Sequence, residues 1–92
     1  MYEYLSGKFA GIAPTHVVID VHGIGYYVHI SLHTYAQIKD KAEGRLFVSF
    51  QVREDAQTLY GFASEEERRL FEHLISVSGI GPNTGRMILS SL

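Results

Sequence analysis

No cysteine occurs anywhere in the 92 residues. That excludes a disulfide scaffold, a thiolate metal site and a cysteine nucleophile, and it is compatible with a cytoplasmic protein. No apolar run approaches the roughly 20 residues that a membrane helix needs, so no membrane role is expected. The first residues, Met1-Tyr2-Glu3-Tyr4, lack the basic start and apolar run of a signal peptide. A basic excess is also missing. The formal net charge is −2, whereas a protein that binds nucleic acid by bulk attraction carries a basic stripe. Residues 1–62 hold five Lys/Arg against six Asp/Glu, and residues 63–92 hold three against four. Any grip on nucleic acid must therefore be local, with the acids facing elsewhere or serving a purpose.

What is present is apolar pattern. Apolar residues make up 46% of the chain, enough for a packed core. Residues 4–13 read as a strand interrupted by Gly7 and Gly11, and glycines inside a strand point to bending or close backbone approach. A turn at Ala13-Pro14-Thr15 precedes the β-branched run from His16 to His22. Gly23-Ile24-Gly25 is a tight connection into a third strand, Tyr26 to Ile30, so the two runs form a hairpin. From Ser31 to Lys41 the period of two is lost, and Leu32, Tyr35, Ala36 and Ile38 have helical spacing. Ala42-Glu43-Gly44 reads as a turn. Arg45 to Val52 alternates, Arg53-Glu54-Asp55 is a charged tip, and Ala56 to Phe62 returns as a fifth strand. Five short strands with a helical insert after the third predict a small antiparallel barrel of the oligonucleotide-binding (OB) type. Strand count alone also allows an SH3-like barrel.

The pattern changes after residue 62. Ser64-Glu65-Glu66-Glu67 is a capping box in which Glu67 can reach back to the serine amide. Leu70, Phe71, Leu74 and Ile75 follow on one helical face, and Glu65 and Arg69 are spaced for an ion pair. Val77-Ser78-Gly79-Ile80-Gly81-Pro82 then joins this helix to a second one carrying Met87, Ile88 and Leu92. Gly79 is placed to end a helix in the left-handed conformation. Pro82 suits a first helical position. Gly85 sits inside the second helix, where glycine costs about 1 kcal/mol against alanine, and close approach to the first helix would explain it. The fold expected is thus α+β, with an OB barrel over residues 1–62 and a helix-hairpin-helix over residues 63–92.

A helix N-terminus offers unpaired N–H groups and partial positive charge, and glycines let a phosphate approach the backbone. Such a grip at Gly79-Ile80-Gly81 needs no side-chain charge and reads backbone, not sequence. The plainer reading is a helix corner with glycine stops. Glu54 and Asp55 admit three readings: a solvated hairpin tip, a metal or acid–base pair, or a repulsive point that pushes phosphates apart. The five histidines, His16, His22, His29, His33 and His73, share no metal-ligand spacing. The tyrosines and phenylalanines either fill the core or stack on bases.

The runs Val52-Arg53-Glu54-Asp55-Ala56-Gln57 and Leu59-Tyr60-Gly61-Phe62, followed by Glu67-Arg68, Leu70-Phe71, Leu74-Ile75, Gly79-Ile80-Gly81-Pro82 and Ile88-Leu89-Ser90, closely resemble the RuvA family of bacterial Holliday-junction recognition subunits. Gly7, Gly11 and Gly23-Ile24-Gly25-Tyr26 fit as well. The resemblance implies a non-enzymatic scaffold without a cofactor, four copies of which form a square plate around an open four-way junction. It matches Glu54 and Asp55 to an acidic pin, Arg53 to a DNA contact, and Gly79, Ile80 and Gly81 to the first of two hairpins. It implies RuvB, an ATPase, and RuvC, a resolvase, as partners. Family members often carry lysine after the hairpin proline. Here the residue is Asn83, so Thr84 and Arg86 are expected to substitute in part, with weaker binding and a shallower salt slope. A second hairpin and the motor-binding domain would lie beyond Leu92. The competing reading is a protein-interaction or oligomerisation module with no direct DNA role.

Overall fold

In the computed structural model, which describes residues 2–77 and 79–92, the strands come first and close on themselves. Among the described residues these are β1 (Tyr4–Ile12), β2 (His16–Val21), β3 (Ile24–Ile30), β4 (Glu43–Arg53) and β5 (Ala56–Phe62), with helices α1 (Leu32–Ile38), α2 (Glu65–Ile75) and α3 (Pro82–Ser90). The strand order around the closed barrel is β1-β2-β3-β5-β4. This is an OB barrel, with α1 in the helical insert between β3 and β4. Ser78 of the inter-helix stretch and Met1 lie outside the described residues.

Closure departs from the all-antiparallel expectation at one seam. β3 and β5 run parallel, pairing Val28 with Leu59 and Ile30 with Gly61. A parallel pair needs a crossover between its strands, and α1 with β4 supplies it. Gly61 makes the seam possible: a Cβ there would sit 2.5 Å from Val28 Cγ1.

The other expectations mostly hold, with local corrections. The β2–β3 hairpin turns through His22 and Gly23, with φ of 53° and 91°, between the paired residues Val21 and Ile24. Positive φ at both turn positions matches the right-handed twist of the strands, and Asp20 Oδ1 accepts from the Gly23 amide at 2.8 Å. Glu43 and Gly44, expected in a turn, instead begin β4 and pair with Lys8 and Gly7. Gly44 is there because the Phe9 ring lies over it, 3.2 Å from where a Cβ would be. Gly7 and Gly11 separate in role. A Cβ on Gly7 would meet Asp20 O at 2.2 Å, whereas Gly11 has open space around it, beside a register shift between Phe9 and Gly11.

The barrel interior is built from Leu5, Val17, Ile19, Val28, Ile30, Leu46 and Val48, with Ile38 of α1 closing one end. A second cluster joins Tyr60 and Phe62 of β5 to Phe71 of α2 and Leu89 of α3. Barrel and helices therefore share apolar packing. Leu70, expected on the buried face of α2, is 43% exposed, because that face is narrow and centred on Phe71.

Side chains of Glu67, Arg68 and Arg86 fix the helices on the barrel. Ser64 Oγ accepts from the Glu67 amide at 3.1 Å, as expected. The Glu67 carboxylate does not complete the capping box. It turns inward and accepts from Ser31 Oγ at 2.5 Å and Thr34 Oγ1 at 2.6 Å, because two buried hydroxyls, one at the N-cap of α1 and one in its first turn, face it and would otherwise lack an acceptor. Arg68 donates to Glu3 O at 2.7 Å and to the Glu3 carboxylate at 2.8 Å. This pairing holds the Glu3 carboxyl below its usual range. Arg86 of α3 donates to Ile30 O at 3.1 Å. Glu65 and Arg69 form the expected ion pair at 3.3 Å.

Candidate nucleic-acid interface

The β4–β5 hairpin outruns the barrel. β1 pairs with β4 only as far as Phe47, and β3 pairs with β5 only from Leu59 onward. From Phe50 to the turn the two strands pair only with each other, ending at Arg53↔Ala56. Glu54 and Asp55 form the two-residue turn at the end of this ribbon, and Val52 to Gln57 are all exposed. A ribbon with no third strand and no core beneath it carries its two carboxylates out into solvent. Arg53 precedes them on the same ribbon.

At the other feature, the chain leaves α2 through Ser76 and turns at Gly79, whose φ of 89° strains any residue but glycine. The left-handed conformation is as expected, but Gly79 does not end the helix: α2 stops at Ile75 with Ser76 as its C-cap. The Ile80 amide donates to Val77 O at 3.2 Å, and Ile80 is half-buried. Gly81 is the N-cap of α3, with φ of −83° and ψ of 167°, and Pro82 occupies the first helical position. The three helix starts differ. Ser31 caps α1 through the Thr34 amide, and Ser64 caps α2 through the Glu67 amide. The first turn of α3 has no side-chain cap and no acidic residue. Its exposed residues Asn83 and Thr84 thus present amides and partial positive charge outward.

Gly85, the next residue, is buried against α2. A Cβ there would lie 2.9 Å from Ile75 Cγ2, so the close approach inferred from its position is real. Arg86 is engaged within the fold. Besides Ile30 O, it donates to Asn83 Oδ1 at 2.6 Å, while its Nε is buried without a partner. It is a strut that sets the start of α3 against the barrel, and its charge reaches further. Burial lowers the His29 pKa below the usual value, and Arg86 and His16 push it the same way. Burial raises the Tyr60 hydroxyl, with Arg86 and Arg53 pulling the other way.

The sequence did not single out the buried Ser31–Thr34–Glu67 group or the pairing of His16 with Tyr27 on the barrel's outer face. The spacing Ser31-x-x-Thr34 gave a capping signal for the first. No sequence signal distinguishes the second from core aromatics. Among the described residues no group of three or more His, Asp or Glu is placed to hold a metal ion, and no helix is long and apolar enough to cross a membrane.

The fold and the glycine turn together define a class: an OB barrel carrying a helix–glycine turn–helix element. Within it, the chain belongs to the RuvA family, since residues 1–61 match the model described as RuvA N terminal domain. Proteins named Holliday junction branch migration complex subunit RuvA are similar along the whole chain. The one from Bacteroides fragilis is 54% identical over 92 residues, covering 100% of this chain and 46% of that protein. The one from Porphyromonas gingivalis is 50% identical over 91 residues, covering 99% and 45%. The one from Christiangramia forsetii is 51% identical over 92 residues, covering 100% and 48%. The chain thus spans about half the length of the curated relatives it matches.

Proposed function

We propose that this chain is a DNA-binding, non-enzymatic part of a junction scaffold: it holds phosphates of a four-way DNA junction at the start of α3 and keeps strands apart with Glu54 and Asp55. The names of the relatives support the junction, and the geometry supports the division of labour. Gly79, Ile80 and Gly81 shape the turn, the Asn83 and Thr84 amides receive the phosphate, and Arg53 adds a direct cation beside the acidic tip. Arg86 sets the helix in place and lends charge through Asn83. Asn83 in place of lysine leaves the hold dependent on backbone dipoles. On this reading four copies form a plate with the four acidic tips near its centre, a RuvB-type ATPase drives the arms, and a RuvC-type resolvase acts on the same junction. The residues by which the relatives are longer carry the motor contact.

The observation that carries the reading is Gly81. Its φ and ψ are ordinary extended values and a Cβ there would meet nothing within 4 Å. Glycine is an acceptable N-cap, but serine, asparagine or aspartate would cap α3 better; the bare backbone and open space at Gly81 instead leave room for close approach of an outside group. The Gly81→Ala variant is therefore expected to stay folded, with a stability loss of about 1 kcal/mol from the poorer N-cap, and to lose DNA affinity, with smaller junction-induced shifts at the Asn83 and Thr84 amides in NMR spectra. Unchanged DNA affinity with intact folding would transfer support to the interaction-module reading.

A further inference from the structure

The outer face of β2, β3 and β5 carries aromatic rings that the phosphate hold leaves unused. Strand alternation explains which residues they are. Val17, Val28 and Leu59 turn into the barrel, so their neighbours turn outward. The register aligns His16 with His29 and His29 with Tyr60, and sets Tyr27 in the next row, opposite Val18. Tyr27 is 53% exposed. The His16 ring lies flat against it, with centroids 4.5 Å and planes 16° apart, and Thr15 Oγ1 holds His16 Nδ1 at 3.2 Å. His29 meets Tyr27 edge-on at 5.3 Å. The tyrosine is thus braced on one face and one edge while half of it remains in water.

A single half-exposed tyrosine is ordinary. This one is set apart by its bracing and by its place. A ring already fixed by neighbours loses little freedom when another ring stacks on it. Arg86 reaches the carbonyls of Thr15 at 3.5 Å and Ile30 at 3.1 Å, residues adjacent in sequence to His16 and His29, so the first turn of α3 borders the aromatic row. On the other side, Ser49 pairs with Tyr60, and alternation turns Arg53 of the same strand to the same face. The row therefore runs from the α3 turn toward the acid-tipped ribbon, open at Tyr27, partly open at His16 and buried at its Tyr60 end against Phe71. Asp20, the outward acid nearest on β2, is occupied by the Gly23 amide.

We propose that Tyr27, backed by His16, is a stacking platform for one unpaired nucleobase of a DNA strand whose phosphate is held at α3. The ligand class is a single-stranded or branch-point nucleotide. A paired base has both faces covered within its own duplex, whereas an unpaired base offers a π-face, and such stacking tolerates any sequence. The proposal rests on the reading of α3 as the phosphate hold, which sets where the strand runs.

The test uses two DNA ligands carrying a fluorescent adenine analogue that dims when stacked: a four-way junction labelled at its branch point, and a short thymine-rich single strand. Wild type, Tyr27→Phe and Tyr27→Ala are titrated against both, with circular dichroism confirming the fold of each variant. Wild type and Tyr27→Phe are expected to bind the single strand and dim the probe. Tyr27→Ala is expected to bind the single strand roughly tenfold more weakly and leave the probe bright. If all three bind the junction equally with no change in the probe, the platform is overturned and the junction reading stands. If Tyr27-dependent dimming occurs on the single strand but the junction has no advantage over duplex, the platform stands and the junction reading falls. Binding to neither DNA overturns both. If Tyr27→Ala misfolds, the comparison of wild type with a His16→Ala variant decides, loss of dimming supporting the platform and retention overturning it.

Discussion

Ser31 Oγ donates to Glu67 Oε2 at 2.5 Å across 36 residues of sequence. Ser31 is also the N-cap of α1, accepting from the Thr34 amide at 3.1 Å. One hydroxyl therefore starts one helix and anchors another. Thr34 Oγ1 extends the group, accepting from the Ala63 amide at 3.1 Å while donating to the same carboxylate. The junction between barrel and helices is consequently specified by hydrogen bonds with little freedom, as a scaffold that positions an α3 turn against a barrel face requires.

Replacing Glu67 with alanine leaves two buried hydroxyls without their acceptor. The expected loss in stability is about 2–3 kcal/mol. Glu67→Gln keeps one carbonyl oxygen, and the hydroxyls can rotate to accept from its amide, so its loss is expected to be about half as large. Chemical denaturation of both variants measures the difference. Equal stability of Glu67→Ala and wild type would show that the group adds nothing to folding.

Gly7 and Gly11 occupy the same strand yet predict opposite outcomes. An alanine at position 7 drives its Cβ onto the Asp20 carbonyl, a backbone atom that cannot rotate away. Gly7→Ala is expected to lose about 2 kcal/mol or more. Gly11→Ala meets open space and is expected to stay within about 0.5 kcal/mol of wild type. Thermal melts of the pair check this, and a matched pair of melting temperatures would contradict the packing described at β1–β2.

His29 gives a pH signature. Its folded pKa lies below 6.5 because of burial, Arg86 and His16, in that order. The unfolded chain then binds the proton more readily, so this residue lowers stability as pH falls through the ordinary histidine value, and the effect levels off below the folded midpoint. Removing the Arg86 charge as Arg86→Met is expected to move the His29 midpoint upward, measured by NMR of the ring protons. A midpoint that stays put or falls would mean that Arg86 does not act on this face.

Much of this was legible in the sequence because the signals were local. The β-branched runs, the Ser64 cap, the Gly79 turn, Pro82 and the Gly85 approach each follow from a few adjacent residues. The misreadings arise where a distant partner decides. Gly44 has the composition of a turn, but Phe9 makes it a packing site. Glu67 has the spacing of a capping box, but Ser31 and Thr34 draw it inward. Leu70 has the helical phase of a core residue, but the barrel surface reaches only as far as Phe71. The exposed stack of Tyr27 on His16 depends on cross-strand register, which residue type alone does not fix. For the site, sequence pattern picked out the acid pair and the glycine turn. The free ribbon beneath Glu54 and Asp55, and the contrast of one uncapped helix start with two capped ones, required the structure.

The central claim is that DNA is held at α3 while the ribbon tip selects for a junction. The most direct measurement compares affinities for a four-way junction and a linear duplex of equal length at one salt concentration, in wild type and in the double variant Glu54→Gln/Asp55→Asn. Wild type is expected to prefer the junction. The variant, freed of two repelling charges, is expected to bind duplex more tightly and to lose much of that preference, with the salt slope recorded alongside. Equal wild-type affinity for the two DNAs, or weaker binding of the variant to both, would contradict the account.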